Sequence, residues 1–285
     1  AADAGVTVFD TADVYGDGRS ESLIGRFLRA HPDLAVTVTT KMGRRAEQQP
    51  ENYTAENFRA WTDRSRRNLG TERLDLVQLH CPPTAVFASD RVFDALDALV
   101  EGGAIARYGV SVETCDQALT AIARPGVASV QIILNAFRLK PLDAVLPAAR
   151  AAGVAIIARV PLASGLLSGR YTKETTFAEN DHRTFNRHGE AFDRGETFSG
   201  VDFAEGVAAA REFSALAPAG VTPAQAALAW VAAQDGVTTV IPGARSPEQA
   251  RQNAAAGSLT LPQGFDEQVH DIYDRRLRAA IHPQW

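Results

Sequence analysis

Short apolar runs alternate with longer amphipathic segments along most of the chain. The runs are rich in β-branched residues and predict strands, whereas the longer segments repeat apolar positions with helical spacing. The predicted strands cover residues 6–10, 35–41, 74–80, 106–110, 129–134, 154–159 and 237–242. The predicted helices cover residues 20–30, 55–69, 90–101, 114–123, 143–152, 223–234 and 247–256. The alternation is typical of an α/β protein with a parallel sheet and crossover helices.

Several strands are apolar at every position, as strands buried on both faces should be; residues 154–158 read VAIIA. We therefore predict a (β/α)8 TIM barrel, a fold that needs eight strands. The pattern supplies seven, and residues 1–5 resemble the last turn of a helix closed by Gly5. An open seven-stranded sheet is the alternative, but it leaves two unpaired edges.

The first βα unit of the predicted barrel is incomplete in this sequence. We expect that the first strand and most of its helix precede residue 1, so that strands 6–10 and 237–242 flank a gap. The natural protein would then be longer by about 30–45 residues, the length of a βα unit with a leader. This chain alone would be poorly soluble or inactive, because unpaired backbone groups are costly to bury.

Two segments depart from the repeat, although residues 1–285 are predicted to form a single domain. Residues 163–200 form a long rim loop rich in Gly, Arg and Phe, and loops of this length are usually functional or disordered. Its aromatic residues Phe185, Phe192 and Phe198 either wall a substrate pocket or simply pack the loop. Further helices are predicted over residues 201–217 and 265–278.

The amino-acid composition argues against several classes of protein. The chain is 45% hydrophobic and 22% charged, with a net charge of −5, so it carries no electrostatic footprint for nucleic acid. No apolar run approaches the roughly 20 residues that cross a bilayer. Cys81 and Cys115 suit a reducing cytosol, and the six histidines show no metal-ligand spacing. We therefore predict a cytoplasmic protein with a small-molecule partner, no metal and no membrane or nucleic-acid contact.

Four polar residues lie at or just after the carboxyl ends of predicted strands: Asp10, Tyr15, Lys41 and His80. In a parallel barrel all such positions open on one rim. Taken singly, each has an ordinary structural explanation: a turn cap, a loop aromatic, a surface lysine or a strand-end histidine. Together and in this order, they favour a catalytic site.

The four residue types also make chemical sense together. A free tyrosine has a pKa of about 10 and is a poor proton donor at neutral pH. A nearby ammonium stabilises the phenolate, and a carboxylate keeps that lysine charged and in place. A histidine beside the phenol can hydrogen-bond to a substrate oxygen and orient it.

The segments FDTADVYG, Ser20-Glu21, TTK and LDLVQLHCP together resemble the aldo-keto reductase family, particularly its bacterial and potassium-channel-β-subunit-like branches. The resemblance extends over essentially the whole chain. It implies hydride transfer between NADP(H) and a small aldehyde or ketone. Tyr15 would be the general acid, Lys41 would support it, Asp10 would hold Lys41, and His80 would orient the carbonyl. The channel-subunit branch often has asparagine at the histidine position, so His80 favours a working reductase.

The resemblance also implies a nicotinamide site. Ser111 in GVSV and Gln131 in SVQIILN match the residues that hold the nicotinamide amide, whereas Val112 replaces an asparagine. Arg159 replaces an aromatic residue that stacks on the ring, and a planar guanidinium can also stack. Its charge beside the ring would disfavour oxidised nicotinamide. The pyrophosphate path would be lined by Leu162, Gly165 and Arg170.

Residues 241–253 resemble the family's closing cofactor motif. Gly243 and Arg245 precede a helix opened by Ser246-Pro247, and helix N-termini attract phosphate. Arg245 suits a ribose 2′-phosphate, although the family's usual lysine-serine pair is absent. Gln249 and Asn253 lie four residues apart on one helix face and would meet the adenosine.

Two other functions are weighed against the reductase. The first is an NADPH-binding regulatory or redox-sensing subunit with slow turnover, which the channel-subunit resemblance allows. The second is a barrel lyase or isomerase that uses Lys41, which the cofactor motif at 241–253 disfavours. A Rossmann domain is disfavoured because no GxGxxG lies between a strand and a helix.

Overall fold

Seven parallel strands form one sheet in the computed structural model, which describes all 285 residues. Each strand pairs with the next along the chain, in the order β1 to β7. Their bounds are β1 Val8–Asp10, β2 Thr37–Met42, β3 Leu74–His80, β4 Ile105–Ser111, β5 Val127–Ile133, β6 Ala155–Arg159 and β7 Val237–Val240. The predicted α/β barrel is confirmed. β7 ends before Pro242, which has no N–H to donate to a ladder.

The sheet curls into a barrel that is open between its first and last strands. No pairing joins β1 to β7, and both strands line one large cavity. The expectation that these two strands flank a gap is therefore confirmed. Residues 2–4 form a single 3-10 turn that ends at Gly5, whose φ of 83° is left-handed.

Helices connect successive strands and cover the outside of the barrel. They are α1 Arg19–Ala30, α2 Ala55–Leu69, α3 Thr84–Phe87, α4 Asp90–Glu101, α5 Cys115–Ile122, α6 Val145–Ala152, α7 His182–Phe185, α8 Phe203–Leu216, α9 Pro223–Ala232, α10 Pro247–Ala256, α11 Phe265–Arg276 and α12 Arg278–Ile281. The predicted helix 265–278 is divided, because Leu277 leaves the helical conformation (φ −120°) and its side chain is buried. No helix has the length and apolarity that a membrane crossing requires.

Helix ends follow local sequence signals. The Thr54 hydroxyl accepts a hydrogen bond from Asn57 N at the start of α2, and left-handed Gly70 ends that helix. Thr222 caps α9 in the same way, with Pro223 at the first helical position. These caps fix where each helix begins and therefore how the loops on the rim are spaced.

The rim loop 163–200 is built from short turns and α7. Phe198 is fully buried and packs against Phe177 and Phe203, at centroid distances of 5.8 and 5.0 Å. Phe185 is exposed and contacts Phe192 edge-on. The large cavity is not lined by Phe185, Phe192 or Phe198. These side chains pack within the rim loop instead.

Candidate active site

Asp10 and Lys41 form a buried ion pair at the carboxyl ends of β1 and β2. Lys41 Nζ lies 2.5 Å from Asp10 Oδ2 and also donates to the Thr11 carbonyl at 2.8 Å. The other carboxylate oxygen of Asp10 accepts hydrogen bonds from Thr39 Oγ1 (2.7 Å) and Gln131 Nε2 (2.9 Å). Three partners from β2 and β5 therefore fix the carboxylate, and the carboxylate fixes the ammonium.

Tyr15 and His80 lie beside this ion pair. The two rings meet edge-on, with centroids 5.8 Å apart and an interplanar angle of 81°. Lys41 Nζ is 5.3 Å from the centre of the Tyr15 ring. His80 and Lys41 are buried, whereas Tyr15 is 44% exposed. The structure thus brings the four predicted catalytic side chains together and leaves the phenol accessible from the cavity.

Tyr15 lies in a turn formed by residues 13–18. Two arginines from adjacent segments of the protein bind this turn. Arg64 of α2 donates to the carbonyls of Asp13 (3.1 Å) and Asp17 (2.8 Å). Arg64 and Arg45 also each lie 2.8 Å from the Asp17 carboxylate. The position of the phenol therefore depends on contacts between this turn, α2 and the loop after β2.

His80 is held in its neutral form. Burial, together with the positive charges of Arg44, Lys41 and Arg159, lowers the pKa of His80 well below its usual value. Its Nδ1 atom is buried without a protein partner. A neutral imidazole in this place can donate one hydrogen bond to a ligand but cannot act as a cation.

Arg159, at the end of β6, is fixed by two carboxylates. Its Nη2 donates to Glu113 Oε2 at 2.7 Å and to the Val112 carbonyl at 3.1 Å, and its Nη1 lies 3.7 Å from Glu196. Burial alone would lower the pKa of Arg159, but Glu113, Cys81 and Glu196 raise it above the usual value. The positive charge predicted beside the nicotinamide is therefore balanced within the protein.

Arg44 completes this buried cluster of charges. Its guanidinium lies 3.2 Å from Glu196 and 3.7 Å from Glu113, and its Nε donates to the His80 carbonyl at 3.2 Å. Burial raises the pKa of Glu113, whereas Arg159 and Arg44 lower that of Glu196 despite its burial. Sequence reasoning missed both glutamates. Glu113 directly follows the strand-end pair Ser111-Val112, which was a usable signal, but Glu196 lies in the rim loop without any pattern.

The donor atoms of Cys81, Glu113 and Glu196 lie within 4.8 Å of one another, a spacing that could suit a metal ion. However, Arg159 Nη2 already lies 2.7 Å from the Glu113 carboxylate and 3.7 Å from Cys81 Sγ. Arg44 contacts both glutamates from another direction. The guanidinium groups of Arg159 and Arg44 therefore already supply the positive charge that a metal ion would bring to these carboxylates.

Ser111 and Gln131 lie on the same inner level of the barrel as His80. His80 pairs in register with Ser111, and Ser111 with Gln131, on neighbouring strands. The Ser111 hydroxyl accepts a hydrogen bond from Cys81 Sγ at 3.3 Å, and the Gln131 amide donates to Asp10. The two residues predicted to hold the nicotinamide amide are therefore adjacent to the catalytic group.

A cavity of about 820 Å³ extends from Asp10 and Tyr15 towards α10 and occupies the gap between β1 and β7. Six of the predicted site residues line it: Asp10, Tyr15, Gln131, Arg159, Gly243 and Asn253. At the α10 end, Asn253 Nδ2 donates to the Gly243 carbonyl at 3.1 Å, and Gln249 Oε1 accepts from Arg245 N at 2.7 Å. The Arg245 side chain is exposed beside this turn.

The residues predicted for the pyrophosphate path lie elsewhere. Leu162, Gly165 and Arg170 do not line the cavity. Gly165 has a φ of 96°, and a Cβ there would lie 2.3 Å from the Tyr171 hydroxyl, so this glycine permits close packing within the rim loop. Arg170 is exposed at the end of the same turn.

Comparison with known proteins gives a consistent result. A family model described as the aldo/keto reductase family matches residues 1–274. The aldo-keto reductase yakc [NADP(+)] of Schizosaccharomyces pombe is 27% identical, over 96% of this chain and 80% of that protein.

Solved structures show the same relationship. A glycerol dehydrogenase from Gluconobacter oxydans is 28% identical with a TM-score of 0.79, covering 100% of this chain and 86% of that one. An aldo-keto reductase from Klebsiella pneumoniae in complex with NADPH is 26% identical with a TM-score of 0.69, covering 95% and 81%.

Proposed function

The chain belongs to the aldo/keto reductase family, and we propose that it transfers a hydride between NADP(H) and a small aldehyde or ketone, with Tyr15 as general acid. The observation that carries the proposal is the grouping of Asp10, Tyr15, Lys41 and His80 at one rim of the barrel. Tyr15 also borders the cavity beside β1 and β7, and Gly243 and Asn253 line that cavity near α10. A molecule that reaches from the phenol to α10 would present a reactive group to Tyr15.

The residues at both ends fit a dinucleotide. Near Tyr15, Gln131 lines the cavity and Ser111 lies in register beside it, and the two would hold an amide; near α10, a helix N-terminus with Arg245 beside it would bind phosphate. The choice of NADP(H) is supported by the Klebsiella relative, which was crystallised with NADPH. The roles of Gln249, Asn253 and Arg159 towards this cofactor are part of the proposal, whereas Leu162, Gly165 and Arg170 lie outside the cavity and are not assigned to the pyrophosphate.

NADPH supplies the hydride when it is bound. The Tyr15 hydroxyl donates its proton to the carbonyl oxygen of the substrate as that oxygen gains negative charge. The Lys41 ammonium, 5.3 Å from the ring centre, stabilises the phenolate that remains. Asp10 holds Lys41 in this position through the 2.5 Å contact.

His80 would orient the substrate rather than give up a proton. Because burial and three nearby cations lower its pKa, the imidazole is neutral at physiological pH. Its N–H can donate a hydrogen bond to the carbonyl oxygen beside the Tyr15 hydroxyl. Two donors aimed at one oxygen stabilise the charge that develops there during reduction.

The test is NADPH oxidation by the purified natural protein, assayed beside residues 1–285 alone, across a panel of aldehydes, ketones and sugars, with NADH as the control cofactor. For the natural protein we expect saturable oxidation of NADPH with at least one small carbonyl compound. NADPH binding without oxidation of any of them would contradict the reductase. It would favour the regulatory subunit that turns over slowly.

A further inference from the structure

Asp13 is a buried carboxyl group that neither the fold nor the proposed reaction explains. It is fully buried, and neither of its carboxyl oxygens makes a hydrogen bond of normal geometry; only the backbone N–H of Val14 lies near enough to favour the ionised form. It begins the turn 13–18, which carries Tyr15. Burying an ionised carboxylate without hydrogen bonds is very unfavourable, so the neutral acid is the form that suits this site.

A second carboxylate lies close to Asp13. Glu21 of α1 is also fully buried, and its two oxygens accept hydrogen bonds from Thr40 Oγ1 (2.6 Å) and Asn68 Nδ2 (2.8 Å). Glu21 is therefore well stabilised as an anion. An anion at Glu21 disfavours a second negative charge at Asp13.

The positive groups around Asp13 are engaged with other acceptors. Arg64 of α2 and Arg45 after β2 bind the Asp17 carboxylate and backbone carbonyls. Lys41 of β2 accepts a hydrogen bond from Asp13 N through its carbonyl, but its ammonium contacts Asp10. Burial and Glu21 consequently raise the pKa of Asp13 to about 7, against the opposing effect of Arg45 and Arg64.

The turn that begins at Asp13 is packed closely against α2. Gly18 has a φ of 88°, and a Cβ at this position would lie 2.5 Å from Asn68 Nδ2 and 3.1 Å from the Arg64 guanidinium. Because Asp13 is fully buried, water can reach its carboxylate only if this packing opens, and Tyr15 lies on the same turn.

We propose that Asp13 is a positioning residue for the reaction: its neutral carboxyl group keeps the turn 13–18 packed against α1 and α2, and its ionisation loosens the turn and displaces the Tyr15 hydroxyl. The inference rests on the proposed function of Tyr15. It predicts that activity is lost above neutral pH, and that the ionisation responsible is that of Asp13 rather than that of the phenol.

The direction of the pH effect follows from the raised pKa. The folded protein holds the Asp13 proton more tightly than the unfolded chain, whose carboxyl has the ordinary value of 3.8. The stabilisation is present at low pH and is lost as pH rises from about 4 to about 7. Reductase activity should fall over the upper part of that range and beyond it, as the ionised form becomes dominant.

Asp13→Asn keeps the shape of the side chain and cannot ionise, so we would measure kcat against pH for this variant and the wild type. One pH unit above the midpoint, the wild type should retain about a tenth of its maximal kcat. The variant should change less than about twofold over the same interval. Asp33→Asn is the control: it removes an exposed carboxylate between α1 and β2, away from the turn, and it should keep the wild-type midpoint.

Thermal unfolding separates this inference from the proposed function. The melting temperature of Asp13→Asn should exceed that of the wild type at pH 8, and the difference should shrink towards pH 4. Carbon-13 titration of the aspartate carboxyls in the wild type should show one midpoint near 7, a result that needs no variant to fold. A wild type without reductase activity would contradict the proposed function. An active wild type and variant with the same pH midpoint, or the absence of a carboxyl titrating near 7, would overturn the role of Asp13.

Discussion

The two ends of the cavity are held by different kinds of contact. At the catalytic end, Asp10 binds Lys41 and Gln131, partners 31 and 121 positions away in the sequence. At the α10 end, Gln249 binds Arg245 and Asn253 binds Gly243, partners only 4 and 10 positions away. The geometry of the first end therefore depends on the assembled barrel, because its contacts join residues far apart in the sequence. The geometry of the second end is set by residues within one short segment.

The two ends of the cavity also differ in how deeply their residues are buried. Lys41 and His80 are buried, whereas Arg245 is exposed. Catalytic groups that must meet a reacting atom at short range benefit from being fixed before the substrate arrives. A residue that binds a charged phosphate at the surface can order when the phosphate binds. The difference implies that changes at the catalytic end should affect chemistry or folding, and changes at the α10 end should affect affinity.

The largest effect is expected for Tyr15→Phe. The change removes the proton donor but no contact that holds the dinucleotide, so kcat should fall by about a hundredfold or more while NADPH binding is nearly unchanged. Steady-state kinetics and NADPH titration measure the two quantities. Tyr171→Phe, in the rim loop, is the control and should keep its activity. A Tyr15→Phe variant with a tenth of wild-type activity would rule out the general-acid role.

Arg159→Met should reduce the stability of the fold. Without this guanidinium, the buried carboxylates of Glu113 and Glu196 keep only Arg44 as a positive partner, and breaking a buried ion pair costs about 3 kcal/mol or more. The pKa values of both carboxyls should then rise, so the loss should be larger at pH 8 than at pH 5. Urea unfolding at the two pH values measures it. The exposed Arg170→Met is the control, and a pH-independent loss would argue against the charge cluster.

The smallest effect is expected at the α10 end. Arg245→Ala should raise the dissociation constant of NADPH about tenfold and change that of NADH little, because a charged hydrogen bond to phosphate is worth roughly 1.5–3 kcal/mol. Fluorescence titration with both cofactors measures the change. Arg251→Ala, an exposed arginine on the same helix, should leave both constants unchanged. Equal losses for NADPH and NADH would show that Arg245 does not read the 2′-phosphate.

The amino-acid sequence alone determined the elements of this protein and the order of its chemistry. Apolar runs and helical spacing located the strands, with β3 at its predicted bounds 74–80, and caps such as Thr54 and Thr222 set the helix starts. These signals are readable because they depend on neighbours within a few positions. The same is true of the motif that contains Asp10 and Tyr15, and the parallel barrel then guarantees that strand ends meet on one rim.

Only the tertiary structure decided which charges are paired and which are left alone. The guanidinium of Arg159 is bound by Glu113 and by Glu196 from the rim loop, and Asp13 is buried beside Glu21 without a hydrogen bond. No local pattern predicts either arrangement, because burial and long-range pairing depend on how separate elements pack. The sequence therefore indicates which groups reach the rim, and packing determines their charge state there.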